Sequence, residues 1–297
     1  MAGTKRTNGK PEKILLGTDL GARSDRALDR AALLATACGA ELVVLHVLEE
    51  EKRFVGTSGA IPSWRRPANP QPLAERRLRA DLRSLDARSR VIVEKGDPGE
   101  VILRVAEEQG CDLIVTGLAR DEMLGRFSLG ATVDRLLRQS TVPLLIVKDR
   151  ARAAYRDIVV AVDFSESARL ALTTALDFFP DRQLTVFHAY DAPMAGLMGD
   201  PDTYRRDYGG VAEAEYKEFL STVGIPEGRK LAEPLIEWGE PARLLREMAD
   251  YRHVDLVVLG THGRSALLEA IIGSTAKHVL AELPCDALVV PLRTATG

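Results

Sequence analysis

A chain of 297 residues has room for about two domains of ordinary size, each long enough to bury its own core. With 45% hydrophobic and 28% charged residues it reads as globular, and 40 Lys+Arg against 43 Asp+Glu leave a formal charge of −3, without the basic excess that a dedicated nucleic-acid binder carries. Its apolar runs, such as Leu256-Val257-Val258-Leu259, are strand-sized, far short of the ~18 residues of a spanning helix.

In chain order, residues 1–11 carry Lys5, Arg6 and Lys10 with no apolar run behind them, so they read as a flexible tail rather than a signal peptide. A strand is expected over 14–19, then a helical pattern containing Ala27-Leu28, a strand over 44–47, and an irregular Gly- and Pro-bearing stretch over 49–72. The arginines Arg76, Arg77, Arg79, Arg83, Arg88 and Arg90 alternate with Glu75, Asp81 and Asp86, which predicts the solvated face of a helix and the turn after it. Gly96-Asp97-Pro98, an apolar run at 112–115, Gly117, Gly130 and a last strand at 144–147 complete this half. Cys38, Cys111 and Cys285 are too widely spaced for a disulfide framework or a CxxC zinc site, and a reducing cytoplasm is the expected compartment.

The same landmarks then recur at an offset of about 143 residues. Asp19 answers to Asp163, His46 to His188, Gly96-Asp97-Pro98 to Gly239-Glu240-Pro241, Gly117 to Gly260 and Gly130 to Gly273. The junction falls over 149–155, giving a tail at 1–11 and domains at 12–149 and 156–294. Strands are expected near 157–162, 184–190, 232–237, 255–259 and 287–291, with helices opening at Ser165-Glu166-Ser167 and at Pro241, and a second irregular stretch over 191–210. Short apolar runs alternating with helical segments predict an α/β chain: two tandem Rossmann-like domains, each a five-stranded parallel sheet with helices on both faces.

In such sheets ligands bind beyond the carboxyl ends of the strands. There the second half carries Gly260-Thr261-His262-Gly263-Arg264-Ser265 and, with nine residues between Gly263 and it, Gly273-Ser274-Thr275 opening a helix. Glycines allow close backbone approach, and hydroxyls with a helix N-terminus suit an anion, to which Arg264 adds a charge. His262 is expected to position or touch a ligand rather than move a proton, since no carboxylate or nucleophile stands near it in sequence. His46 and His188 suggest one packing solution repeated, not a metal pair. Met194, Met198, Tyr204 and Tyr208 read either as a lid over the second site or as local packing.

Gly260-x-x-Gly263, nine residues, Gly273-Ser274, the first-strand Asp163 and the closing apolar strand together resemble the universal stress protein family over both halves. The resemblance implies an ATP site, with or without magnesium, in which Gly260, Gly263, Arg264, Gly273, Ser274 and Thr275 surround ribose and phosphates. Asp163 would hold the nucleoside end, and the backbone of Ala189 would meet the base. The first half departs from the pattern, with Arg120 in place of Gly263 and Ala131 in place of Ser274, so its site is expected to be degenerate, unless Arg120 makes a phosphate contact of its own. The resemblance thus implies a cytoplasmic stress-response regulator binding adenine nucleotide in its second domain, with no catalytic residue beyond at most very weak hydrolysis.

Two alternatives stay open: a nucleotide-independent scaffold for a protein or apolar ligand, and an ATP-dependent enzyme. The latter lacks a Gly-x-x-x-x-Gly-Lys-Ser/Thr loop, a Ser-Gly-Gly pyrophosphatase loop and a His-x-Gly-His signature. Strands 144–147 and 288–290 would leave open sheet edges, so the halves are expected to pack as an intramolecular pseudo-dimer. A homodimer of the whole chain and a regulatory protein partner are undecided by sequence.

Overall fold

The computed structural model describes residues 9–49, 70–83, 85, 87–118, 129–191, 201–229, 231–263 and 272–292. Arg120, Met194, Met198, Arg264, Ser265, most of the tail and most of the two irregular stretches lie outside them, as does the side chain of Tyr204. The first half runs β1 (Lys13–Thr18), α1 (Ala22–Cys38), β2 (Glu41–Leu48), α2 (Pro70–Leu82), β3 (Ser89–Lys95), α3 (Pro98–Gln109), β4 (Leu113–Gly117), α4 (Ala131–Gln139) and β5 (Leu144–Val147). The second runs β6 (Ile158–Ala161), α5 (Glu166–Phe178), β7 (Leu184–Tyr190), α6 (Pro201–Val223), β8 (Leu235–Trp238), α7 (Pro241–Arg252), β9 (Leu256–Gly260), α8 (Ser274–Glu282) and β10 (Asp286–Val290).

Within each half all strand pairs are parallel, and the order β3-β2-β1-β4-β5 is repeated as β8-β7-β6-β9-β10. Successive strand residues alternate between two apolar layers: Leu16 and Val44 face α1 and α2, while Leu15 and Val43 face α3 and α4. Short side chains at Ala27, Ala31 and Ala35 let α1 lie close to the sheet, and Gly39 ends it in the left-handed conformation (φ 69°), its N–H donating to the carbonyls of Ala35 and Thr36. The repeated Gly-acid-Pro turn has one physical purpose in both halves. Asp97 caps the Glu100 N–H of α3, Glu240 caps Ala242 and Arg243 of α7, and each proline takes a first-turn position.

Two expectations are revised. The stretch expected to stay irregular through 210 is helical from Pro201, because Ala212, Tyr216, Phe219 and Val223 bury one face of α6. The Gly209-Gly210 pair sits inside that helix, and a Cβ at Gly209 would lie 3.1 Å from the Tyr190 hydroxyl. Arg90, expected in a turn, is a residue of β3.

β5 and β10 pair antiparallel, Leu145 opposite Leu288, joining the halves into one ten-stranded sheet and one pair of shared apolar layers. Asp134 of α4 and Lys277 of α8, which occupy equivalent positions in the two repeats, meet across the joint at 2.9 Å. Beside it lies a buried polar cluster that sequence reading missed. Asp286 accepts from Lys148 N (2.8 Å), Asp149 N (3.0 Å) and the Tyr155 hydroxyl (2.6 Å). Arg30 Nε stands 3.3 Å from the same carboxylate in a charge contact without hydrogen-bond geometry, and its guanidinium lies 3.9 Å from the Tyr155 ring centroid. Lys148 Nζ donates to Leu280 O and Leu283 O at the carboxyl end of α8, where the helix dipole favours a cation.

Burial pushes the thiols of Cys111 and Cys285 up to about 12 and raises the Tyr155 phenol, while it lowers Lys148 to about 8. Above pH 9 an unfolded chain sheds thiol protons that the native state keeps, so stability present below pH 9 is lost toward pH 12, by at most about 4 kcal/mol per thiol. Lys148 works the other way. From about pH 8 to 10.5 the unfolded chain holds a proton the native state has released, which adds stability. The expected profile is a slight gain from pH 8 to 9, then a loss that steepens above 10.5. Urea titrations at stepped pH check it, and an undiminished midpoint at pH 11 would refute the assignment.

Candidate functional site

The order β3-β2-β1-β4-β5 reverses direction at β1, and in the second half at β6, so the carboxyl ends of β6 and β9 splay apart into a crevice. A cavity of about 770 Å³ fills it, within the usual range for small-molecule sites. Asp163, Ala189, Gly260, Gly263, Gly273, Ser274 and Thr275 all line it, while Arg264 lies outside the described residues. Phe187, Leu245, Leu259, Ile272 and Val279 supply an apolar wall.

Each glycine has its own reason. A Cβ at Gly260 would fall 2.2 Å from Ser167 Oγ and 2.9 Å from the Ser167 backbone, so this glycine lets the first turn of α5 pack against the end of β9. It serves helix packing before it serves any ligand. A Cβ at Gly263 would fall 2.8 Å from Asp163 Oδ2, so a side chain there would strike the carboxylate beside the cavity. At Gly273 the nearest atoms, Thr261 O and Gly263 N, are 3.6 and 4.0 Å away and φ is −58°. A side chain there is compatible with the backbone and would occupy ligand space. Gly273 is the N-cap of α8 and provides no side-chain hydrogen bond, so the first N–H groups of that helix, with the hydroxyls of Ser274 and Thr275, border the cavity uncapped by any side chain among the described residues.

Asp163 is held by the Ser165 N–H at 3.1 Å, and Ser165 caps α5 by accepting from Ala168 N. The buried Ser167 hydroxyl takes the His262 N–H at 3.3 Å, fixing the loop after β9. The His262 ring places Nδ1 2.7 Å from Thr261 Oγ1, which also accepts from Leu292 N; the histidine's Nε2 is buried without a hydrogen-bond partner among the described residues. The ring is thus oriented by a hydroxyl, not by a carboxylate as a general base would be. His188 Nδ1 lies 2.8 Å from Val162 O and stacks on Phe164, and His46 Nδ1 lies 2.9 Å from Thr18 O. The two histidines tie the second strand to the end of the first in both halves, the repeated packing solution expected from sequence. Among the described residues no three His, Cys, Asp or Glu side chains gather as a metal site.

In the first half Asp19 is occupied locally, accepting from Gly21 N (2.8 Å) and Ser24 Oγ (2.5 Å). Burial pushes its carboxyl up, but those hydrogen bonds outweigh it and hold it below the usual range. Ala131 opens α4 without a hydroxyl where Ser274 opens α8.

Comparison with known proteins places this arrangement. The model of the universal stress protein family matches residues 11–148 and again 154–291. A universal stress protein of Synechocystis is 31% identical over 46% of this chain and 97% of its own length. Universal stress protein E of Photorhabdus laumondii is 25% identical over 67% of each chain. The crystal structure of a universal stress protein from Archaeoglobus fulgidus covers 96% of this chain and 97% of its own, with a TM-score of 0.62 at 22% identity, a likeness of fold. No helix among the described residues is long and apolar enough to cross a membrane. Two successive family matches, on a repeated sheet closed into a single ten-stranded layer, establish that the chain belongs to the universal stress protein family.

Proposed function

We propose that the chain is a stress-response regulator whose second half binds an adenine nucleotide, ATP, at the crevice between β6 and β9. The observation that carries the reading is the open cradle at Gly273: a cavity-facing position where a Cβ would take up ligand space, at the head of a helix that no side chain among the described residues caps. Phosphate oxygens would accept from the first N–H groups of α8 and from Ser274 and Thr275, at the positive end of the helix dipole. Asp163 would accept from ribose hydroxyls, the Ala189 backbone would meet the base edge, and the wall around Phe187 and Ile272 would shield the purine face. Arg264 is assigned to the phosphates on spacing alone. A magnesium ion would arrive on the phosphates rather than on a protein cage.

The same site is proposed to bind without turning over. In-line transfer needs a group that orients the attacking oxygen, and among the described residues His262 is turned to Thr261 with no carboxylate behind it. Calorimetry with ATP on the purified chain is expected to give one saturable site, and steady-state hydrolysis to fall orders of magnitude below the usual enzyme range of about 1–10³ s⁻¹. Two equal sites would refute confinement to the second half. Turnover within that range, lost in His262→Ala with binding retained, would make the protein an enzyme.

A further inference from the structure

A second cavity, of about 670 Å³, opens at the far edge of the sheet, between β8 and α7. Its floor is apolar, built from Phe187, Leu235, Leu244 and Met248; its rim carries Glu237, Glu247, Asp250, Tyr251 and Arg252. Leu244 and Met248 are only half-buried, and Tyr251 is 88% exposed.

The repeat supplies an internal comparison, because the same place exists in the first half between β3 and α3. There the floor positions of Leu244 and Met248 are Val101 and Val105, 6% and 1% exposed. Above them Arg104 spans from helix to strand, its guanidinium paired with Glu94 of β3 and, at 2.9 Å, with Glu108 of α3. Glu94 has an equivalent in the second half, Glu237, but the position of Arg104 is Glu247 and that of Glu108 is Tyr251. The bridging cation has become a second carboxylate, which turns away to pair with Arg243 one helical turn earlier at 2.8 Å. A further reversal lies close by, with Glu233 where the first half has Arg90. One half therefore closes this groove with its own guanidinium, and the other keeps the strand carboxylate, opens the floor and has no cation at the position of Arg104.

We infer that the β8–α7 groove is a ligand site for a small organic cation, a guanidinium or ammonium head on an apolar body, whose head takes the place that Arg104 fills in the first half. The head would lie between Glu237 and Glu247, displacing the exposed Arg243 contact, a pairing of little net strength. The body would cover Leu244 and Met248 beneath Tyr251, whose ring face attracts a cation. Arg252 at the end of the rim disfavours a dication long enough to reach it. The inference is independent of nucleotide binding, since the groove shares with the crevice only Phe187, in the strand between them.

The probe is n-octylguanidinium, with n-octyl sulfate as the control of equal apolar length and opposite charge. Calorimetry on the full chain at low salt is expected to show one saturable site for the cation and none for the sulfate, weakening as sodium chloride is added. Glu247→Arg restores the first half's arrangement, in which the introduced guanidinium pairs with Glu237, and is expected to weaken n-octylguanidinium by about tenfold or more while leaving the thermal midpoint unchanged or higher. Glu237→Gln, at an exposed position, is expected to weaken it similarly and carries the test alone if the arginine variant does not fold. Equal binding of the sulfate, or unchanged affinity in both variants, overturns the inference. So does self-association of the chain, seen by analytical ultracentrifugation and abolished by Glu247→Arg, which would assign the groove to a second copy.

Discussion

Asp286→Ala is expected to cost about 3–5 kcal/mol, the range found when one member of a buried ion pair is removed and the others remain. The carboxylate is 1% exposed and accepts from two backbone N–H groups and a phenol while facing a guanidinium. Its loss strands Lys148 N, the Tyr155 hydroxyl and Arg30 in a place water does not reach. Asp286→Asn keeps one acceptor oxygen and is expected to lose less, though the amide must point its N–H₂ at donors. Because the cluster links α1, the 148–155 connection and β10, the damage falls on the joint between the repeats. Urea denaturation should show a lower midpoint and a broadened or two-step transition as the halves lose their coupling. A loss below about 1 kcal/mol with a single sharp transition would show the cluster to be incidental.

Gly273→Val is expected to reduce ATP affinity by at least about a hundredfold, roughly 2.7 kcal/mol, while the midpoint of unfolding moves little. The structural grounds are separate for each clause. Nothing lies closer than 3.6 Å to a Cβ at this position and φ is negative, so the backbone accepts the side chain; what the two methyl groups occupy is the cavity at the head of α8. Gly130→Val is the control. It sits at the equivalent N-cap of α4 with no atom within 4 Å of a Cβ, and is expected to leave affinity unaltered. Equal losses in the two variants would mean that the nucleotide does not sit where the second repeat places it.

The repeated landmarks made the fold legible, because apolar runs, Gly-acid-Pro turns and helix-opening hydroxyls each carry a local physical signal that one sequence can display. The pairing of β5 with β10 was legible for the same reason: two short apolar strands at sheet edges need a partner. The cluster around Asp286 was not. Lys148, Tyr155 and Arg30 are ordinary charged or aromatic residues in sequence, and only long-range packing buries them together. Gly260 was legible as a required glycine but for an incomplete reason, since the steric demand comes from Ser167, nearly a hundred residues away in the chain. The groove at β8 was not legible either, because the exchange of Arg104 for Glu247 gains meaning only from the Arg104–Glu94 contact between helix and strand, which packing creates.

The antiparallel joint between β5 and β10 has a geometric corollary. Strands of the first repeat run opposite to those of the second across it, so the carboxyl ends of the two parallel blocks point to opposite poles of the molecule. The crevice bounded by Asp163 and Gly273 opens at one pole, and the equivalent ground beside Asp19 and Gly130 opens at the other. A molecule seated at one pole would therefore contact the strand ends of one repeat and leave those of the other uncovered.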